Sequence, residues 1–253
     1  MEKVAVITPY FNEPLEFIEK ANHSVINQYI PCDHIIISDG EDKNNQLKKL
    51  KCISLELPFS YNNNGNTPRS VGINLAISKG YDYIAFLDAD NWFHSEHILS
   101  LVNLLKKNNS NIGCSFRTFH NEAGEIIKVD EDDDVLEHKH VDTSCYLLEK
   151  DIHHLINIWH LIPKQLSQYC DRLFYVYLRV KNFKISFSNQ YTVSFRTLYE
   201  NHYKMANLEL PKKTKLINNF NKDSEIYLNN PKNNKYLLEK FGFDIATFKL
   251  YTF

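Results

Sequence analysis

Short apolar runs that stop at polar residues alternate, along the first half of the chain, with stretches whose apolar positions recur every three or four residues. Residues 4–7 form one such run, expected to be a strand buried on both faces of a parallel sheet. It ends in Thr8-Pro9-Tyr10. Asn12 as N-cap and Pro14 in the first turn then open a helical pattern carried by Leu15, Ile18, Ala21, Val25 and Ile26. Residues 34–37 predict a second strand that stops at Ser38-Asp39-Gly40, residues 42–50 a short helix or loop, and residues 52–57 a third strand. After a loop at 61–66, Thr67 as N-cap and Pro68 at the first helical position predict a helix through Val71, Leu75 and Ala76 to Gly80. Residues 83–87 form a further strand, and Ser95 caps a helix with Ile98, Leu101, Val102 and Leu105 on its apolar face.

The second half is less regular. Residues 112–119 predict a strand, Asn121-Glu122-Ala123-Gly124 a turn, and Ile126, Ile127 and Val129 its return. Residues 141–148 read as another strand, and residues 151–162 as an amphipathic helix with Ile152, Leu155, Ile156 and Trp159. Leu173, Val176, Tyr177 and Val180 give a helical face with Asp171 in its first turn, followed by strands at 185–187 and 191–195. Residues 211–215 read as a basic linker. Residues 236–243 and 245–253 offer short aromatic-rich helices or strands that pack on the domain, dimerise or touch a membrane surface.

Strands alternating with helices predict an α/β fold with a mostly parallel sheet and right-handed crossovers. With 253 residues, 43% of them apolar, the chain can bury a sizeable core in one large domain with an appendage. Lys plus Arg total 29 against 31 acidic residues, a formal charge of −2 that gives no electrostatic reason to expect nucleic acid. Five dispersed cysteines without a C-x-x-C pair suit reduced thiols, and the first residues lack the features of a signal peptide. No apolar run reaches the roughly 18–20 residues that span a bilayer. The expectation is a cytoplasmic protein, with peripheral contact at the inner face of the membrane left open.

The candidate chemistry sits at strand ends. An alternating strand would point Asp88 and Asp90 to the same side of the chain, where two carboxylates suit a hard divalent cation that takes oxygen ligands. Alone, the pair reads equally as a polar loop after a buried strand. Polar residues also close the first and second strands, and ligands of parallel sheets bind beyond such ends. Neither G-x-G-x-x-G nor G-x-x-x-x-G-K-[ST] occurs, so the usual dinucleotide and P-loop signatures are missing.

VAVITPYFNEP, IIISDG and NTPRSVGINLAISKGYDYIAFLDADN, in this order over residues 3–91, resemble the family 2 glycosyltransferases. Those are inverting enzymes of GT-A fold, Rossmann-like, that use nucleotide-sugars. The resemblance implies a GT-A domain over residues 1–207, with a nucleotide-sugar-binding half (1–110) and an acceptor-binding half (111–207), followed by a small C-terminal extension (208–253) of unknown role. It implies that Thr8, Pro9 and Tyr10 border the nucleotide, with Glu13 nearby, and that Asp39 binds the base edge. It places Arg69 toward the phosphates, Asp88 and Ala89 at the ribose, and Asp90, assisted by Asp88, on Mn²⁺ or Mg²⁺. Asp171 would be the general base, in an acidic motif whose first position is here Cys170, and His202 a candidate for the metal or diphosphate. Asn91 stands where many members carry a third acid.

Local readings remain open beside these. Asp39 can cap a turn, Arg69 can be solvated, and Glu13 and Asp171 can serve a helix dipole. The acidic run 130–134 and the pair His138/His140 can bind cations or simply face solvent. The resemblance implies a nucleotide-sugar donor, a UDP-sugar, and a carbohydrate or lipid-linked acceptor, as in bacterial surface polysaccharide or lipooligosaccharide synthesis; an oligomer is allowed. Competing readings are a nucleotidyltransferase, a phosphatase with a nucleophilic Asp, and a non-catalytic nucleotide-sugar or carbohydrate-binding protein of the same fold.

Overall fold

The structure is a computed structural model that describes residues 2–42, 45–129, 140–215 and 221–244. The first half runs β1 (Val4–Tyr10), α1 (Leu15–Ile26), β2 (Cys32–Ser38), β3 (Ile53–Glu56), α2 (Asn66–Ser78), β4 (Tyr83–Phe86), β5 (Trp92–Phe93) and α3 (His97–Asn108). The second runs β6 (Ile112–His120), β7 (Ile126–Val129), β8 (Tyr146–Glu149), α4 (His153–Ile156), α5 (Cys170–Val180), β9 (Ile185–Arg196), α6 (Glu200–Met205), α7 (Asn221–Leu228) and α8 (Pro231–Phe241). The strands form one sheet in the order β3-β2-β1-β4-β8-β6-β9-β5, with β7 on β6.

The predicted parallel arrangement describes β3-β2-β1-β4. Beyond β4 the sheet is mixed: β8 runs antiparallel to β4 and β6, β5 antiparallel to β9, and β6 parallel to β9. The apolar runs of β1, β2 and β4 are buried because helices cover both faces of that half. The order reverses at β1, whose neighbours are β2 and β4, and such switch points are where ligands enter α/β sheets.

Several local expectations are corrected. Asn12 adopts a left-handed φ of 56°, which an N-cap does not, and Pro14 takes the cap of α1. β4 ends at Phe86, so Asp88 and Asp90 lie in a turn closed by Asn91 N–H to Asp88 O (3.0 Å) and are not aligned by strand alternation. Of residues 141–148 only the end is strand, since Thr143–Cys145 winds into a 3₁₀ turn whose Ser144 N–H is capped by Asp142 (2.9 Å). Residues 151–162 break into short turns instead of one helix, although Trp159 is fully buried as expected. The segments at 185–187 and 191–195 are one strand, β9. The acidic run 130–134, His138 and residues 245–253 lie outside the described residues.

The C-terminal segment packs on the domain. Leu237 and Phe241 are completely buried in the main core, each contributing about 1.5–3 kcal/mol by area. The Ser224 hydroxyl donates to Gln165 O (2.7 Å), and the Tyr236 hydroxyl to Leu161 O (3.3 Å). Among the described residues no helix is long and apolar enough to cross a membrane.

α2 begins at Asn66, not at Thr67-Pro68, because Gly65 at a φ of 74° turns the chain into the helix. A Cβ on Gly65 would stand 2.7 Å from Pro9 Cβ, which fixes the loop against the end of β1. Gly65→Ala is therefore expected to lower stability by about 1–3 kcal/mol through the left-handed backbone and this clash. The urea midpoint measures it, and an unchanged midpoint would contradict the close approach.

Candidate functional site

At the end of β1 the side chains of Thr8 and Tyr10 are completely buried. The Thr8 hydroxyl pairs with Nε2 of His34 (2.8 Å), and the Tyr10 hydroxyl donates to Gln46 Oε1 (3.0 Å). His34 is kept neutral by burial, its pKa pulled down to about 3. Thr8 and Tyr10 thus shape the strand end from behind, and half-buried Pro9 and Glu13 remain at its surface. Glu13 precedes the helix and folds back to accept Phe11 N–H (2.6 Å). Burial raises its pKa against that hydrogen bond, and the charge of Asp88 adds to the rise.

Asp39 is buried and ties down the loop after β3. Its two oxygens accept Tyr61 N–H and Asn62 N–H, both at 2.8 Å. Oδ2 also accepts the Ser60 hydroxyl (3.4 Å), and Oδ1 keeps a second lone pair, so this bracing leaves acceptor capacity for a further N–H.

Arg69 is neither solvated nor free. Its side chain is buried, one nitrogen donates to Asp88 Oδ1 (2.6 Å), another to Asn64 O (3.0 Å), and the guanidinium lies 5.2 Å from the Trp159 ring centroid. Burial works against its charge, but Asp88 and further neighbours more than offset this, and the group stays protonated. Arg69 therefore orients Asp88. Ala89 is buried between the two carboxylates.

Asp90 differs from its neighbour. Among the described residues no hydrogen bond or ion pair reaches its carboxylate, and it is half-buried. Burial, with Asp88 and Glu13 adding to it, raises its pKa to about 7 against the pull of Lys215 and Arg196. Asn91 behind it holds the turn: its amide donates to Ser144 Oγ (3.2 Å) and accepts Arg196 N–H (2.9 Å). A carboxylate cannot donate, so the amide is the side chain that serves both contacts. Arg196 also donates to Asp90 O (2.9 Å) and lies 3.7 Å from the Phe17 ring centroid.

Asp171 lies in the first turn of α5, with Oδ1 accepting Arg172 N–H (2.8 Å) and Oδ2 standing 3.7 Å from His140 Nε2. Burial raises its pKa, while Arg172 and Arg117 pull it back. Cys170 supplies no second acid, because burial pushes its thiol up to about 12. Burial raises the pKa of Tyr199 to about 12, and the charges of Asp171, Asp90 and Asp88 add to the rise.

Sequence reasoning missed a buried ion pair behind Asp171. Arg117 on β6 binds Asp142, and its guanidinium stacks over Phe195 (4.7 Å) and Phe119 (5.0 Å). Burial pushes the Asp142 carboxyl up and Arg117 pulls it back. Asp142-Thr-Ser is a capping pattern, the one local signal available, but nothing local names Arg117 as partner. Also missed was Lys215, assigned above to a linker, which pairs through its main chain with Tyr199 and whose charge opposes the rise in pKa of Asp90 and Glu13.

His202 is not brought to a cation site. Its Nδ1 pairs with Thr197 Oγ1 (2.7 Å), its ring stacks on Phe119 (4.0 Å), and burial lowers its pKa to about 3. No group of three or more His, Cys, Asp or Glu able to hold a metal occurs among the described residues. Asp90 nevertheless fits a hard cation as a single protein ligand. Its carboxylate has no hydrogen-bond or ion-pair partner among the described residues, and a cation held there would take its remaining oxygens from water and a bound anion.

The family model described as glycosyl transferase family 2 matches residues 5–166. No curated protein matches the chain. Among solved structures, S. aureus TarS has a TM-score of 0.58 at 14% identity, over 97% of this chain and 44% of that one. The chain thus spans under half of that protein. TarS 1–349 in complex with UDP has a TM-score of 0.57 at 15% identity, over 99% of this chain and 75% of that one. Its complex with UDP-GlcNAc gives 0.55 at 15% identity, over 96% and 74%. These likenesses establish the fold, and the family model covers well over half of the sequence, so the chain belongs to glycosyl transferase family 2.

Proposed function

We propose that this protein transfers a sugar from a nucleotide diphosphate donor, a UDP-sugar, to an acceptor hydroxyl with inversion at the anomeric carbon. The observation that supports this reading is the unpartnered carboxylate of Asp90 beside the Arg69–Asp88 ion pair, just past the end of β4 at the β1/β4 switch point. The UDP and UDP-GlcNAc complexes of TarS support the choice of nucleotide.

In this reading Pro9, braced by Thr8 and Tyr10, borders the nucleotide, and Asp39 accepts the imide N–H of uracil with a spare lone pair. Arg69 aims Asp88 at the ribose, and Asp90 faces the diphosphate. The acceptor oxygen attacks the anomeric carbon as the bond from that carbon to the phosphate oxygen breaks, the electron pair leaving on UDP. Asp171 takes the acceptor proton as general base. Mn²⁺ or Mg²⁺ at Asp90 would supply charge neutralisation on the diphosphate. Carbohydrate and lipid-linked alcohols both fit as acceptors, the latter with the protein peripheral to a membrane.

The competing binding-only reading rested on Asn91 and Cys170, and Asn91 has a structural task here. Incubation with UDP-sugars, Mn²⁺ and candidate acceptors is expected to release UDP. UDP binding without release from any donor would favour a non-catalytic protein.

The raised pKa of Asp90 gives a second expectation. The carboxyl must lose its proton to hold a cation, so below about pH 7 Mn²⁺ competes with H⁺. Mn²⁺ affinity is expected to fall about tenfold per pH unit below that point, with about one proton released per Mn²⁺ bound at pH 6. Calorimetry in buffers of different ionisation enthalpy counts the protons. No release, or an affinity flat from pH 5 to 7, would remove Asp90 from the cation site.

A further inference from the structure

Residues 211–215 return to the site from beyond the stretch matched by the family model. Lys215 N–H donates to Leu198 O (2.8 Å) and Lys215 O accepts Glu200 N–H (3.2 Å), pairing Lys215 in parallel with Tyr199. The ammonium lies 5.4 Å from the ring centroid of Tyr199, which follows Arg196, whose guanidinium donates to Asp90 O (2.9 Å) and whose N–H donates to Asn91 (2.9 Å). It is exposed and, among the described residues, has no hydrogen-bond or ion-pair partner.

Two other described cations near Asp88 and Asp90 are committed. Arg69 is bound to Asp88 and Asn64 O, and Arg196 to Asp90 O and two aromatic rings. Against them stand Glu13, Asp88 and Asp90, a set that repels an anionic ligand. A diphosphate entering beside Asp90 needs a cation that can turn toward it, and a lysine is a mobile point charge on a flexible stem.

We propose that Lys215, held in place by its main-chain pairing with Tyr199, is the side chain that binds the departing diphosphate of the donor. This rests on the nucleotide-sugar reading above. The segment after α6 then acts as a strap across the leaving-group end of the site, and its main-chain bonds fix the reach of the ammonium.

The test is calorimetric binding of UDP and UMP, with Mn²⁺, to the full chain and to Lys215→Met, Lys215→Arg and the double variant Lys212→Met/Lys213→Met. Lys215→Met is expected to weaken UDP about tenfold or more and to leave UMP within about twofold, as the loss of one charge-assisted contact to the second phosphate requires. Lys215→Arg should restore most of the UDP affinity, and the double variant should match wild type. Equal losses for UDP and UMP, or a Lys215→Met loss no larger than that of the double variant, would overturn the inference. A wild-type chain that binds UDP no better than UMP would overturn the nucleotide-sugar reading, and the inference with it.

Discussion

Asp171→Asn is expected to leave UDP bound and to lower turnover about 10²–10⁴-fold, the range of a positioned general base. The amide has the same shape and can still accept Arg172 N–H, so the start of α5 is kept while the proton acceptor is lost. UDP release measured with saturating donor, beside UDP affinity by calorimetry, separates the two effects. Turnover near wild type would remove Asp171 from the reaction. The acid limb of the wild-type pH–rate profile should lie above the ordinary carboxylate range, because burial holds the proton on Asp171 to higher pH. That sign follows from the base needing to be ionised: a raised pKa moves the loss of activity upward as pH falls.

The largest expected effect on stability comes from Arg117. Arg117→Met leaves Asp142 buried without its guanidinium partner, which costs about 3–5 kcal/mol when one partner of such a pair is removed. In a chain of this length that lowers Tm by on the order of 10 °C. The double variant Arg117→Met/Asp142→Asn should recover much of the loss, since the amide oxygen still caps Ser144 N–H and no charge is stranded. Arg117 also helps keep Asp171 ionised, so the single variant should move the acid limb of the rate profile to higher pH. A single variant as stable as wild type, or a double variant no better than the single, would show that the ion pair does not bear on the fold.

What was legible locally is best seen in the first half. The runs at 4–7, 34–37 and 83–87 are apolar except for His34, whose ring is satisfied by Thr8 and Asn22, because both faces of β1, β2 and β4 are covered, and that composition is itself the signal. Gly80, at a φ of 69°, ends α2 where its lack of a Cβ said it would. The second half was harder to read because its short elements are set by partners. Residues 143–145 turn because Asp142 caps them, and β9 is continuous because β6 pairs along it.

The amino-acid sequence by itself determined the α/β order of the first half and the polar strand ends, and offered Asp88, Asp90 and Asp171 as candidates. Periodicity and side-chain chemistry are local properties, carried by every few residues. The tertiary structure alone decided which of those groups are free. Arg69 is spent on Asp88, 19 positions away, and Asn91 is committed to Ser144 and the Arg196 main chain, 53 and 105 positions away. His202 is turned into an aromatic stack, and Lys215, in what read as a linker, is paired with Tyr199. Contacts at such separations are chosen by how sheet and helices pack, and no local pattern encodes them.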